Sequence, residues 1–268
     1  MLRMNRRLFV RSLLVGLVIG IAILSATAAP PAPPPPPVSI TLCSRDAHAW
    51  PATSGFTHTG GGNIDVQQPT PDTLVITMTG VAVAGAHPIQ NSIAQMAFHL
   101  CQAIVVKFDD PKVKRAQLTM EGRVSGLLRS HKGGGLAAIS EARATVMASG
   151  NDLLSIEAPE HSVSNGQHLS VNDLCACESA QVGAGPLVVH QRLCISATHP
   201  RTFCPKKAAS AEFAPEPALD PQWISYWEPF HGAAKKEFGF QVIIRVSDDT
   251  GNTAPTTQIK TIGHVTKK

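Results

Sequence analysis

Apolar and polar side chains alternate along much of the chain. In residues 73–79, Leu74, Ile76 and Met78 share one face, while three Thr lie on the other. Residues two apart point to the same side of a β-strand, so this alternation predicts half-buried antiparallel strands. Further strands are predicted over residues 94–108, 114–124, 136–148, 153–157, 186–197 and 237–247, with a last one near 258–265.

Clusters of Gly, Asn and Asp separate the predicted strands. They lie at residues 130–135, 151–152 and 248–252, and such residues favour tight hairpin turns. Helical spacing is rare. It is found briefly in residues 208–213, which are followed closely by Pro215.

Many strands joined by turns predict an all-β fold, and we expect an antiparallel β-sandwich. A β-barrel is the alternative. It is less favoured because the segments near 94–108 and 114–130 are long for a small closed barrel. We expect residues 38–268 to form a single domain, since one β domain commonly reaches about 200–250 residues. Residues 175–231 are rich in Cys, Pro and Trp, which predicts an irregular insertion or a small lobe.

The amino terminus has the three parts of a secretion signal. Four Arg and no acidic residue precede an apolar run at residues 13–24, and small residues follow at Ala26 and Ala28. This order predicts a signal peptide over residues 1–28, cleaved after Ala28. An uncleaved anchor is the alternative, because the uncharged stretch is close to the minimum of about 17 residues for a membrane span.

A proline-rich segment, residues 29–37, follows the signal. Seven of the eight residues 30–37 are Pro, which favours a stiff extended spacer. Removing the four Arg of the signal from the 23 Lys and Arg of the chain leaves 19, equal to the 19 Asp and Glu. The remaining chain therefore has no basic excess, and nucleic acid is not an expected partner.

Six Cys follow the signal, and an even number in an exported chain predicts disulfides. Cys175 and Cys177 share a strand face, so each is expected to pair with a different residue. Their nearest candidates are Cys194 and Cys204. That choice leaves Cys43 to pair with Cys101. A zinc site around residues 175–204 is one alternative, although a single residue between paired Cys is not typical of zinc ligands. Free thiols, or a mixture of free and paired Cys, are the other.

No catalytic signature is present. The sequence lacks a Gly-x-Ser-x-Gly elbow, a His-Glu-x-x-His pair and a phosphate-binding Gly-rich loop. Asp249-Thr-Gly251 matches the aspartic-protease tripeptide once, but a hairpin turn explains it more simply. The His residues, among them His48, His99 and His190, are scattered along the chain. We therefore predict no catalytic residue, no metal and no cofactor.

An aromatic segment at residues 223–231 provides a weak candidate for a ligand site. It contains Trp223, Tyr226, Trp227 and His231 in a chain that is only 5% aromatic. Exposed aromatic rings stack on sugars or bury in interfaces. Packing against the edge of the sandwich is the simpler interpretation of the same residues.

We therefore predict an exported, non-catalytic β-sandwich that acts as a binding or structural module, either secreted or in the periplasm or cell envelope. Its expected partner is an extracellular protein or glycan, and a membrane only if the signal remains attached. A carbohydrate-binding module that uses the aromatic segment is one alternative. A secreted hydrolase with His, Asp and Glu brought together by the fold is the other.

Overall fold

The computed structural model describes residues 36–54, 57–131, 140–151, 153–157, 160–201, 208–213, 239–249 and 264–266. All of them belong to one compact unit, Pro36–Lys268. The predicted signal and most of the proline-rich segment lie outside the described residues. In its described part, the chain has no helix long and apolar enough to cross a membrane.

The described residues form thirteen β-strands. They are β1 Val38–Ser54, β2 Thr57–Thr70, β3 Thr73–Gly85, β4 Ser92–Phe108, β5 Ala116–Arg129, β6 Glu141–Gly150, β7 Leu154–Glu157, β8 His161–Ser164, β9 His168–Val182, β10 Gly185–His199, β11 Ala208–Phe213, β12 Phe240–Asp248 and β13 His264–Thr266.

The strands form two antiparallel sheets that pack face to face, which confirms the predicted sandwich. Sheet A has the order β1-β4-β10-β6-β7, with β8 also paired to β6. Sheet B has the order β11-β3-β12-β5-β9-β13, with β2 paired to β3 and β11 paired to β5 as well. Each predicted strand from 73–79 to 237–247 coincides at least partly with an observed strand.

Sheet B contains a strand position that two separate segments share. Both β11 and β12 lie between β3 and β5: Phe213 pairs with Gly80, and Phe240 pairs with Met78. The end of β11 and the start of β12 therefore meet near the same point of β3. In sheet A, β7 and β8 similarly share the position next to β6.

The core lies between the sheets and follows the predicted alternation. In β4 the inward side chains from Ala94 to Val106 are buried, and the residues between them are exposed or half-exposed. Burying a large apolar side chain contributes about 1.5–3 kcal/mol, so these inward rows hold the sheets together. The largest fully buried side chains include Phe98, Phe213, Phe240, Leu74, Ile76, Met78, Leu100 and Ile104.

Residues 208–213 form strand β11, so the helical spacing suggested there is wrong. Ala209, Ala211 and Phe213 point towards sheet A and Ser210 and Glu212 point away, which is an alternation of period two. Pairing with β3 on one side and β5 on the other satisfies the backbone of this short segment and overrides the helix propensity of Ala.

The region predicted as an irregular insertion is regular where the structure describes it. Residues 175–201 belong almost entirely to β9, which lies in sheet B, and to β10, which lies in sheet A, and residues 183–184 connect the two sheets. The long strands β1 and β2 were not predicted. Sequence reasoning also missed the turn at Asn165–Gly166, which connects β8 in sheet A to β9 in sheet B. Both residues have positive φ angles, 49° and 90°, which Asn and Gly adopt more readily than other residues.

Candidate functional site

The outward face of sheet A brings together side chains that are far apart in the sequence. Cross-strand pairing places three rows across β1, β4 and β10, with neighbouring side chains on one face. The rows are Asp46–Cys101–His190, His48–His99–Arg192 and Trp50–Ala97–Cys194. Opposite them on β6 lie the uncharged Ser149, Met147 and Thr145.

Four rings form a continuous series across this face, which we name the histidine–tryptophan strip: His48, Trp50, His99 and His190. The centroids of His48 and Trp50 are 5.3 Å apart, and those of Trp50 and His99 are 6.4 Å apart. His99 and His190 follow at 5.9 Å with planes at 18°. The planes of His48 and Trp50, and of Trp50 and His99, are inclined at 27°.

The strip is accessible to water. Trp50 is 52% exposed, although burying an indole ring is energetically favourable. His48 Nε2 lies 2.8 Å from Asp46 Oδ1, with side chains 51% and 69% exposed. A large exposed aromatic ring among polar groups is typical of a binding surface.

Electrostatics disfavour a positive charge on His99. Burial is the largest cause that lowers the pKa of His99 below its usual value, and the charges of His190 and Arg192 lower it further. His48 acts in the same direction, and Asp46 opposes it. These effects favour the neutral form of His99.

The cysteines that the structure describes are not paired in disulfides, contrary to the prediction. Cys43, Cys101, Cys177 and Cys194 are free, so the bridge predicted between Cys43 and Cys101 is not formed in this structure. Cys43 lies in an irregularity of β1 between Leu42 and Arg45, where its Sγ donates a long hydrogen bond to Thr41 O at 3.8 Å. Cys204 lies outside the described residues, and of Cys175 only the backbone is described.

The aromatic segment that was predicted to bind a ligand lies outside the described residues. The role of its four residues therefore stays a prediction: Trp223, Tyr226, Trp227 and His231. In the part of the chain that the structure covers, no three His, Cys, Asp or Glu side chains are placed to hold a metal ion.

Two further polar clusters lie away from the strip. A depression of about 400 Å³ is lined by Asp110, Val113, Asp248 and Asp249 together with Lys112, Lys114 and Arg115. Its three acidic and three basic side chains balance, which offers no preference for a charged ligand. Arg129 and Glu212 form a buried pair on sheet B, with NH1 4.0 Å from Oε1. Because both are almost completely buried, this pair is structural.

Sequence reasoning named three residues of the strip, His48, His99 and His190, only as scattered His and missed Trp50. A local signal exists, because Asp46, His48 and Trp50 alternate with Ala and so share one face of a strand. Their approach to His99 and His190 depends on the register of β1, β4 and β10, which sequence alone does not provide.

No protein-family model matches this chain. A search of the curated proteins finds no significant relative either.

Proposed function

We propose that this chain is an exported, non-catalytic binding module that holds an extracellular glycan on the outward face of sheet A. The observation that carries the proposal is the histidine–tryptophan strip, a series of rings across three adjacent strands. His48 and Trp50 are exposed, and His99 and His190 are half-buried. Indole packs against the C–H faces of sugars, and imidazole nitrogens exchange hydrogen bonds with hydroxyl groups. A broad, open sheet face suits an extended polymer.

The hydrolase hypothesis receives less support from this arrangement. His48 and Asp46, which form the hydrogen-bonded acid–base pair of the strip, are both more than half exposed. Acid–base catalysis is favoured by groups whose pKa is tuned in a cleft that excludes water, and these two side chains are not enclosed.

A glycan array tests the binding function directly. We expect the exported full chain to bind at least one immobilised extracellular polysaccharide, and Trp50→Ala to weaken that binding about tenfold or more, a loss of about 1.4 kcal/mol. Ile89→Ala is the matched control, because Ile89 is a large exposed apolar side chain elsewhere on the surface. It is expected to bind as the unmodified protein does.

Two results would contradict the proposal. One is an unmodified protein that binds no glycan on the array. The other is Trp50→Ala binding at full strength. Equal thermal unfolding midpoints of the two variants and the unmodified chain show that a loss reflects the site and not misfolding.

Export is tested by the intact mass of the protein recovered outside the cytoplasm. We expect a mass that lacks residues 1–28, because small residues at Ala26 and Ala28 favour cleavage there. Recovery of the full-length mass from the membrane fraction would support the uncleaved anchor, and a chain confined to the cytoplasm would contradict export.

A further inference from the structure

The centre of the strip holds more groups that can carry positive charge than its one neighbouring carboxylate, Asp46, can balance. Arg192 lies directly opposite His99 and is two residues from His190 along β10. Within the described residues, no carboxylate forms an ion pair with Arg192. Its neighbour on β6 is the uncharged Met147.

The acidic groups of this face are engaged or distant. Asp46 is held by His48 Nε2 at 2.8 Å, at the edge strand β1. Glu141 is paired with Arg143 at 2.9 Å. Glu157 lies in the same row as Arg192 but is separated from it by β6. The groups that face His99 are therefore His48 and Asp46 from β1, and His190 and Arg192 from β10.

We propose that the ligand of this face is an acidic glycan, whose carboxylate or sulfate groups lie over His99, His190 and Arg192. The inference rests on the proposed function and adds the chemical class of the ligand. Arg binds such groups through two parallel hydrogen bonds, and an imidazolium donates from both nitrogens. The stacked rings hold these donors side by side, at the spacing of neighbouring strands.

Binding of such a ligand is coupled to protonation. In the free protein, burial and, to a smaller extent, the charges of His190 and Arg192 lower the pKa of His99. The negative charge of a bound anion favours the imidazolium form of His99, so the complex takes up protons. By linkage, the affinity rises as pH falls through the range in which His titrates.

Dextran and dextran sulfate provide matched probes, because they share a glucan backbone and differ in charge. We expect the exported full chain to bind dextran sulfate, and to bind it about tenfold tighter at about pH 5.5 than at about pH 7.5 at constant salt. Calorimetry in buffers of different ionisation enthalpy should show proton uptake on binding. Neutral dextran should bind more weakly at both pH values.

Variants separate this site from general attraction of a polyanion. We expect Arg192→Gln to weaken binding of dextran sulfate at both pH values, and His99→Gln with His190→Gln to abolish proton uptake. Arg123→Gln is the matched control, because Arg123 is an exposed Arg on sheet B that is paired with Glu121. It should leave both quantities unchanged.

Each alternative outcome has a definite meaning. Equal binding of dextran and dextran sulfate, lost in Trp50→Ala, overturns the acidic ligand and keeps the glycan-binding function. Binding of dextran sulfate that no strip variant changes, or equal binding of duplex DNA, overturns the inference, because charge alone then accounts for it. Binding without proton uptake contradicts the role of His99 and His190.

Discussion

The ring of Phe98 on β4 occupies the space above Gly80 on β3, where a side chain would stand. A Cβ atom at residue 80 would overlap Cε2 and Cζ of the ring and approach Ile195 Cδ1 to 3.2 Å. Phe98 is completely buried. The two sheets therefore pack closely at this point, because the ring of Phe98 on sheet A fills the space that Gly80 on sheet B leaves free.

This contact predicts the effect of a single added methyl group. Gly80→Ala is expected to lower the free energy of unfolding by about 1–3 kcal/mol, because Phe98 must leave its place in a closely packed core. Chemical denaturation measures the loss. In a Phe98→Leu background the same substitution should cost less, since the ring that it displaces is absent.

Gly150→Ala provides the control for this prediction. A Cβ atom at residue 150 meets no atom within 4 Å, so the substitution should leave stability nearly unchanged or raise it slightly. Equal losses for Gly80→Ala in the presence and absence of the Phe98 ring would show that the close contact is not the cause.

Sequence alternation predicted the strands well because burial imposes it locally. In β4, for example, every second residue from Ala94 to Val106 is buried, so burial repeats with a period of two residues. The contact between Phe98 and Gly80 is different, since it depends on how one sheet is placed on the other. The strand position shared by β11 and β12 also escaped prediction, because two segments that are separate in the sequence fill it and give no continuous pattern.

Arg129 and Glu212 form a buried ion pair, and we expect each charge to stabilise the fold only while its partner is present. Their side chains are 4% and 1% exposed, and Ser210 Oγ donates a hydrogen bond to Glu212 Oε1 at 2.7 Å. Arg129→Met alone or Glu212→Gln alone is expected to cost about 3–5 kcal/mol, because each disturbs a buried charge and its partner. Removing both charges together should cost clearly less than the sum.

A double-mutant cycle in denaturant measures this coupling. Arg245→Met with Glu121→Gln is the control cycle, since that pair joins at 3.3 Å with an Arg side chain that is 48% exposed. Exposed pairs contribute about 0–1 kcal/mol. A coupling at Arg129 and Glu212 as small as at the control pair would contradict the structural role.

The candidate site was less predictable than the fold. Alternation at Asp46, His48 and Trp50 indicates one shared face, but a strand with outward polar residues is ordinary. What makes the strip distinctive is the meeting of Trp50 with His99 and of His99 with His190 across strands. Those contacts are set by register, and a shift of one residue would turn His99 into the core.

The thiols should react with alkylating reagents in an order set by exposure and pKa. Cys43 is exposed, whereas burial and, to a smaller extent, Glu121 raise the pKa of the half-buried Cys177 thiol. The thiolate is the reactive form, so iodoacetamide should label Cys43 first and Cys177 slowly. Peptide mass spectrometry at increasing times measures both rates.

Cys43→Ala should remove the fast phase and leave the labelling of Cys177 as it was. Fast labelling of Cys177 in the native protein would contradict the effect of burial. Failure of Cys43 and Cys101 to label until a reductant is added would instead show that the two form the bridge expected from the sequence.

The strip should make stability depend on pH even without a ligand. The pKa of His99 lies below its usual value in the folded chain, so the unfolded chain binds the proton more strongly. The stabilising contribution is therefore present above the unfolded pKa of about 6.5 and is lost as pH falls through the lower folded value. His99→Gln removes this titration, and its free energy of unfolding should fall less between about pH 7.5 and about pH 5 than that of the unmodified chain. Thr145→Ala is the control, because residue 145 lies on the same face and has no titratable group. Its free energy of unfolding should depend on pH as that of the unmodified chain does. The same pH dependence in His99→Gln would contradict a lowered pKa of His99 in the folded chain.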